Sequence, residues 1–423
     1  VRVEAVGICA SDLKCFHGAA KFWGDEHRPA WAETEVVPGH EFVGEVVELG
    51  RDLARLGEMQ GTTVRSDVAL LWDQQSHWAQ GLEWRPSIDM DAKERTRTWY
   101  ERLWRDHLTT DLVRPTDDLG RYRLVVSRAC PWANRAIIVR RLLGLEDVIS
   151  MGIAGPTHDE DSWTFDLDEG GKDPVLGTER IQENYFTRFP DYPRGITVPA
   201  IVDVPTGGVV TNDYPQMTLD LSTEWTAFHR DGAPQLIPDA GPERDEMFEV
   251  IERVFTEVNN GVYRCGFAGT QASYDAAYER LWTALDWLEE HLADRRYLLG
   301  DHITEADVRL FTTLARFDAA YHGHFKCNRH KLTEMPVLWA YARDLFQTPG
   351  FGDTIDFAQI KEHYYVVHED INPTGIVPAG PELASWLSEH GREAFGGDPW
   401  GGGTAPGPVR EGEEVDPAHT PLR

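Results

Sequence analysis

The stretch Leu-Val-Val-Ser-Arg-Ala-Cys-Pro-Trp-Ala-Asn-Arg, residues 124–135, places a cysteine and a proline between an apolar run and a run with helical spacing. Proline is tolerated in the first turn of a helix because its missing N–H would have no partner there. Pro131 therefore predicts the first position of a helix, and Cys130 its N-cap. Unpaired amides and the helix dipole favour a thiolate, so we expect the pKa of Cys130 to fall towards or below neutrality. The alternative is a buried structural cysteine.

The residues around this stretch predict an α/β domain of the thioredoxin type. Strands and helices can be told apart because apolar residues recur with a period near two in strands and near 3.6 in helices. A glycine turn at 206–208 joins the last two predicted strands. The predicted elements are strand 122–127, helix 131–143, strand 147–153, strands within 196–203 and 209–212, and helix 214–225.

The second half of the chain predicts an all-α domain. Long runs with apolar residues at helical spacing cover 243–257, 272–292 and 305–319. Thr304, with Asp307 three residues later, predicts a capping box at the start of the third run. The segment after residue 395 is rich in Gly, Pro and Glu, and its low apolar content predicts a disordered tail.

Composition limits the partners of this protein. A formal net charge of -30 disfavours nucleic acid and anionic membranes, because both would repel the surface. Small-molecule substrates fit this charge better. Five cysteines, at positions 9, 15, 130, 265 and 327, are too few and too scattered for a disulfide framework. With no apolar run of bilayer length and no targeting segment at Val1–Glu4, we expect a cytoplasmic protein.

Several sequence motifs after residue 121 are specific. They are Cys130-Pro131-Trp132-Ala133, residues 144–150, Trp163-Thr164-Phe165, residues 196–199, residues 323–328, and His363-Tyr364-Tyr365 followed by residues 371–378. With these motifs the chain resembles the glutathionyl-hydroquinone reductases, the Xi-class glutathione transferases. The resemblance implies a thioredoxin-like domain over 121–240, a helical transferase domain over 241–394, the tail at 395–423, and a homodimer. It also implies that Pro199 is a cis-proline beside the thiol, whereas an ordinary trans proline is the alternative.

The same resemblance implies a monothiol reaction. The position that carries a second cysteine in dithiol oxidoreductases is Ala133 here, so the second thiol must come from a small molecule. Cys130 would attack the sulfur of a thiol–hydroquinone adduct, release the hydroquinone and hold a mixed disulfide. A second thiol molecule would then free the enzyme.

The resemblance also nominates the residues that hold the thiol. Trp163, Arg194 and Val198 match family positions, and an arginine can bind a carboxylate in bidentate fashion. The family has Glu-Ser where this chain has Asp213-Tyr214, and the motif's histidine after Ala133 is Asn134 here. We therefore expect the thiol to be glutathione or mycothiol, whose sugar and inositol hydroxyls suit an acid and a phenol. Ordinary drift at a glutathione site is the alternative.

Four tyrosines are nominated for the hydroquinone: Tyr263, Tyr321, Tyr364 and Tyr365. Phenol hydroxyls can stabilise a departing phenolate. Each can equally be a core residue with a satisfied hydroxyl. Nearby, His324, Cys327 and His330 suggest a metal, but they belong to a family motif and no fourth ligand has zinc-like spacing, so we expect no firm metal site.

The first 120 residues resemble pieces of two other families. Residues 7–12 and 38–47 resemble the start of zinc-dependent alcohol and polyol dehydrogenases, in which Cys9 and His40 would bind zinc. No third ligand or nicotinamide motif follows, so 1–52 is interpreted as a truncated β-rich fragment. Residues 53–120 predict a βαβ-like α/β fragment that resembles the noncatalytic, flavodoxin-like domain of microbial beta-galactosidases.

Two rival functions follow from this composite sequence. One is a catalytically silent transferase-like module in a chimeric chain. The other is a remnant zinc-dependent dehydrogenase, for which stoichiometric zinc would be required.

Overall fold

The computed structural model describes four short strands in the first part of the chain and then residues 120–422 without interruption. The chain divides into a unit of residues Val1–Pro115 and a unit of residues Thr116–Arg423. In the first unit, strand β1 (Arg2–Gly7) pairs antiparallel with β2 (Glu41–Glu45). Strand β3 (Val68–Leu71) pairs parallel with β4 (Thr110–Val113), as a βαβ unit requires.

The second unit begins with a four-stranded mixed sheet. Its strands are β5 (Tyr122–Ser127), β6 (Ile149–Ala154), β7 (Ala200–Asp203) and β8 (Gly208–Thr211). Their order is β6-β5-β7-β8, with β5 and β6 parallel and the other two pairs antiparallel. The associated helices are α1 (Pro131–Leu143), α2 (Ile181–Arg188) and α3 (Tyr214–Thr223). This arrangement is the thioredoxin-like fold that the sequence predicted.

Helix α1 is fixed at both ends by its sequence. Pro131 occupies its first turn and Cys130 its N-cap. At the other end Gly144 adopts φ 72°, a left-handed conformation that glycine reaches without strain, and its N–H donates to Arg140 and Arg141 carbonyls. The helix is buried along most of its length and packs against α3 on one side.

A helical domain follows the sheet. Its helices are α4 (Pro242–Arg253), α5 (Asn260–Gly266), α6 (Gln271–His291), α7 (Glu305–Arg316), α8 (Pro336–Gln347) and α9 (Phe357–Val367), with π turns at Val254–Asn259 and Phe317–Tyr321. Every residue of α7 is buried, and this helix also packs against α1. Its start is held by Asp307, whose carboxylate accepts the Thr304 N–H at 2.9 Å, in agreement with the predicted capping box.

The expectation of a disordered tail is wrong, because arginines of the thioredoxin-like domain bind it. Arg140 forms a two-pronged ion pair with Glu413, with both N–O distances at 2.8 Å. Arg128 donates to the carbonyls of Glu413 and Glu414, and Val415 is buried. The tail is therefore ordered by polar contacts with distant residues rather than by its own apolar content. None of the described helices is long and apolar enough to cross a bilayer.

Candidate active site at the start of helix α1

Cys130 lies at the junction of β5, α1 and the loop before β7. Its Sγ accepts the Ala133 N–H at 3.5 Å, as a side chain at the N-cap can. The thiol in turn donates to the Val198 carbonyl at 3.5 Å. The Val198–Pro199 peptide is cis, as the resemblance implied, and Val198 is buried directly beside the thiol.

The predicted lowering of the Cys130 pKa is wrong for the protein in this state. Only 7% of the residue is exposed, and its burial raises the pKa of the thiol because the charged form loses its hydration. The Ala133 and Trp132 amides and the charges of Arg316 and Arg135 act in the opposite direction. The helix amides can be predicted from Pro131, but the depth at which α1 begins in the fold cannot.

The residues predicted to hold the thiol do not all lie in one pocket. Tyr214 packs against Trp132, with ring centroids 4.8 Å apart, and its phenol is in electrostatic contact with Cys130. Asp213 is exposed at the N-cap of α3, where it accepts the Gln216 N–H at 3.4 Å. Arg194 is exposed in the loop before Val198, and the described residues provide it with no hydrogen bond or ion pair.

Trp163 belongs to an aromatic stack that the sequence did not reveal. Its indole lies parallel to the His363 ring, with centroids 5.1 Å apart. His363 Nδ1 donates to the Pro156 carbonyl at 2.7 Å, and burial lowers the pKa of this histidine to about 3. A neutral imidazole therefore backs the tryptophan at physiological pH. In the sequence, His363 is marked only by its place before Tyr364 in the family motif His363-Tyr364-Tyr365.

Three of the four nominated tyrosines converge in a phenol cluster. Tyr263 of α5, Tyr321 of the second π turn and Tyr364 of α9 bring their hydroxyls together, with Tyr364 at 2.6 Å from Tyr263 and 2.8 Å from Tyr321. The third distance, from Tyr263 to Tyr321, is 3.5 Å. Burial raises the pKa of each phenol, so all three stay protonated at neutral pH. Tyr263 also lies parallel to Trp132, next to Cys130, at 6.0 Å.

Tyr365 is not part of this cluster. Its ring packs on His324, with centroids 4.6 Å apart, and His324 Nε2 lies 3.3 Å from His368 Nδ1. Cys327 is buried and donates weakly to the Val262 carbonyl at 3.9 Å. In the described part of the chain, no group of three or more His, Cys, Asp or Glu side chains is arranged to hold a metal ion. Cys9 and His40, the nominated zinc ligands, lie outside the described residues.

Sequence reasoning also missed Arg316 and Arg135, two buried cations beside Cys130. Arg135 lies over the Trp132 ring, 4.6 Å from its centroid, and donates to Asn259 Oδ1 at 2.8 Å. A signal for Arg316 does exist in the run 305–319. Polar residues recur there at helical spacing, at 305, 309, 312 and 316, and so mark one polar face on a largely apolar helix.

A cysteine at the first helix of a thioredoxin-like domain, followed by a helical domain, defines a transferase of the glutathione transferase type. Comparison with known proteins agrees. The family described as "Glutathione S-transferase, C-terminal domain" matches residues 271–344. Glutathionyl-hydroquinone reductase PcpF of Sphingobium chlorophenolicum is 42% identical over 265 residues, which cover 62% of this chain and 83% of that protein. Glutathionyl-hydroquinone reductase YqjG of Escherichia coli is 39% identical over 278 residues, 64% of this chain and 83% of that one.

Solved structures give the same result. A glutathione transferase from Gordonia bronchialis is 68% identical with a TM-score of 0.71, and the match covers 72% of this chain and 94% of that chain. The glutathione-bound YqjG structure is 38% identical with a TM-score of 0.62, covering 66% and 89%. The chain belongs to the Xi-class glutathione transferases, the glutathionyl-hydroquinone reductase family of enzymes.

The first part of the chain matches two other families. The description "Alcohol dehydrogenase GroES-like domain" matches residues 1–70, and "Beta-galactosidase trimerisation domain" matches residues 66–140. Erythritol/L-threitol dehydrogenase of Mycolicibacterium smegmatis is 72% identical over 75 residues, but only 21% of that enzyme is covered. Beta-galactosidase BgaB of a Geobacillus species is 30% identical over 83 residues, 12% of its length. These matches confirm the two resemblances and show how small a part of each protein is present.

Proposed function

We propose that this protein is a thiol-dependent reductase that removes a low-molecular-weight thiol from aromatic hydroquinone adducts through a mixed disulfide on Cys130. The observation that carries the proposal is the site of Cys130, at an N-cap beside Val198 with Ala133 in place of a second cysteine. Membership of the glutathionyl-hydroquinone reductase family supports it.

The proposed reaction has two steps. The Cys130 thiolate attacks the sulfur of the adduct, so that an S–S bond forms while the bond between sulfur and the aromatic carbon breaks. The electron pair of that bond stays on the ring, which takes up a proton and leaves as hydroquinone. A second thiol then attacks the mixed disulfide, which releases a thiol disulfide and restores Cys130.

The phenol cluster is proposed to receive the hydroquinone. Tyr263, Tyr321 and Tyr364 are protonated donors in a buried site, where a hydrogen bond to a developing phenolate is strengthened by the low dielectric. The Tyr263 ring also lies against Trp132, which follows the nucleophile. The cluster is therefore suitably placed to bind an aromatic ring whose sulfur faces Cys130.

Replacing Cys130 tests the reaction. Cys130→Ala should abolish release of hydroquinone from a glutathionyl-hydroquinone adduct, measured by chromatography of the products. Cys265→Ala is the matched control, because Cys265 is also a buried free cysteine but lies at the end of α5. Persistent turnover in Cys130→Ala would contradict the proposed mechanism, whereas absence of turnover in the unaltered protein would favour the catalytically silent module.

The thiol is proposed to be mycothiol, with glutathione as the second candidate. Glutathione is supported by relatives solved with it bound, from Escherichia coli and Saccharomyces cerevisiae. Mycothiol is favoured by Asp213-Tyr214, an exposed carboxylate followed by a phenol beside Cys130. Both groups can hydrogen bond to sugar hydroxyls, whereas the family's Glu-Ser pair suits the amino-acid end of glutathione.

A double variant separates the two thiols. The Asp213→Glu/Tyr214→Ser protein restores the family pair and should raise kcat/KM for the glutathione adduct relative to the mycothiol adduct by about ten-fold, the effect of about 1.4 kcal/mol. Equal or better use of glutathione by the unaltered protein would contradict mycothiol while leaving the reaction class intact.

A further inference from the structure

Arg316, the last residue of α7, is fully buried and holds the backbone just before the nucleophile. Its Nε donates to the Ala129 carbonyl at 3.0 Å and its Nη2 to the Arg128 carbonyl at 2.9 Å. Its Nη1 donates to Asn134 Oδ1 at 3.1 Å and to the Thr312 carbonyl at 2.9 Å. The guanidinium thereby connects the helical domain to both sides of Cys130.

All four of these acceptors are uncharged. In residues 120–422, no carboxylate lies within ion-pair distance of Arg316. Two buried arginines on the neighbouring helices do have carboxylate partners, since Arg309 has Glu305 at 2.9 Å and Arg140 has Glu413 at 2.8 Å, whereas Arg135, like Arg316, has none among the described residues. A buried charge without a counter-ion is energetically costly. The position of Arg316 beside a nucleophile therefore indicates that its counter-ion is the thiolate, which forms during the reaction.

Two buried arginines face Cys130, and neither has a carboxylate within ion-pair distance among the described residues. Across the packed elements, Cys130 is in electrostatic contact with two arginines, Arg135 of α1 and Arg316, and with three phenols, Tyr214, Tyr263 and Tyr321. Burial lowers the pKa of Arg135 to about 9, and Arg309 and Glu305, which are paired with each other, act on it in opposite directions. Arg316 differs from Arg135 in that it holds the backbone carbonyls of residues 128 and 129, just before the nucleophile. Arg316 also faces His363 and Tyr364, and it opposes the rise that burial causes in the pKa of Tyr364.

We propose that Arg316 is a positioning residue whose buried charge becomes the counter-ion of the Cys130 thiolate. Its use in turnover rests on the proposed function, but the thiolate itself can be measured without any substrate. Asn134 orients the guanidinium, because its own amide donates to Thr354 Oγ1 at 2.8 Å and this turns Oδ1 towards Arg316. An asparagine at this position therefore supports the counter-ion rather than contacting the thiol.

The test is the pH dependence of Cys130 alkylation by iodoacetamide, followed on the Cys130 peptide by mass spectrometry. Arg316→Gln should slow alkylation at pH 7 by about ten-fold, because a rise of about one unit in the thiol pKa lowers the thiolate fraction by that factor. Arg316→Lys, which keeps the charge, should stay within about three-fold of the unaltered protein. Arg309→Lys is the matched control on the same helix and should leave the profile unchanged.

A second variant covers the case in which Arg316→Gln does not fold. Asn134→Asp places a carboxylate where the amide oxygen lies, 3.1 Å from Nη1, and should also slow alkylation about ten-fold. A wild-type alkylation profile in either variant, with native circular dichroism, would overturn the inference. Because iodoacetamide replaces the substrate, absence of hydroquinone release by the unaltered protein, together with the expected slower alkylation in both variants, would count against the proposed function and leave this inference standing.

Discussion

At the scale of single residues, Tyr364 is the centre of the phenol cluster, because its hydroxyl makes the two shortest of the three contacts, at 2.6 and 2.8 Å. Tyr364→Phe removes one donor and leaves Tyr263 and Tyr321 with poorer partners. We expect kcat for a hydroquinone adduct to fall by about 100-fold, the effect of losing one well-placed oxyanion donor. Tyr365→Phe is the matched neighbour and should change kcat by less than about three-fold. Equal losses in both variants would show that the cluster is not the site for the hydroquinone.

His363 makes a prediction about acid stability. Its pKa is lowered to about 3 in the folded protein and is near 6.5 in an unfolded chain, so the unfolded state binds more protons between these values. This contribution to stability is fully present above about pH 6.5 and is lost as the pH falls towards 3. It amounts to at most about 1.4 kcal/mol per pH unit.

His363→Asn keeps a donor for the Pro156 carbonyl and removes the titration. The free energy of unfolding, measured by urea titration from pH 7 to pH 4, should then fall less steeply than in the unaltered protein. His158→Asn is the control, since His158 is exposed and touches the same Trp163 ring. An unchanged slope in His363→Asn would show that this histidine is not the group that titrates.

At the scale of elements, the tail after residue 395 binds to the thioredoxin-like domain and stabilises it. Arg140 is 1% exposed, and Glu413→Ala would leave its charge buried without its partner. We expect the free energy of unfolding to fall by about 3 kcal/mol, the usual cost of breaking a buried pair from one side. The measurement is a urea titration at pH 7. Glu411→Ala, two residues earlier and exposed, should cost less than about 0.5 kcal/mol.

Local chemistry explains which elements could be predicted. The bounds of β5 and α1 agree with the sequence because Pro131 and Gly144 are start and stop signals that act within a few residues. The tail could not be predicted, since its order comes from arginines more than 250 residues earlier in the chain. The depth of Cys130 depends in the same way on packing between α1 and the rest of the fold, and this packing reverses the expected direction of its pKa shift.

The residues of the candidate site also depend on packing between elements that are distant in sequence. The sequence names Tyr263, Tyr321 and Tyr364 only through a family resemblance, because nothing local brings together residues that lie on three separate elements. The sequence does not show which of Tyr364 and Tyr365 belongs to the phenol cluster, because these neighbours point in different directions from α9. Arg316 had a pattern signal, but its position beside Cys130 depends on how α7 packs against α1.

At the scale of the whole molecule, the chain divides after Pro115, and the residues of the site belong to the second unit. We expect residues 116–423, produced alone, to keep the hydroquinone-releasing activity within about three-fold of the full chain, since the contacts described for the site lie within this unit. Limited proteolysis of the full chain should give a stable core that begins near residue 116. A fragment that is folded but inactive would show that the first unit contributes to catalysis.

The most direct test of the account is the mass of the intact protein after one turnover without free thiol. The enzyme is mixed with a stoichiometric amount of a glutathionyl-hydroquinone adduct, and peptide mapping then shows which residue carries the added mass. The account predicts release of one equivalent of hydroquinone together with one glutathione joined to Cys130 by a disulfide that dithiothreitol removes. Hydroquinone released in equal amount from a protein with an unmodified Cys130 would contradict it.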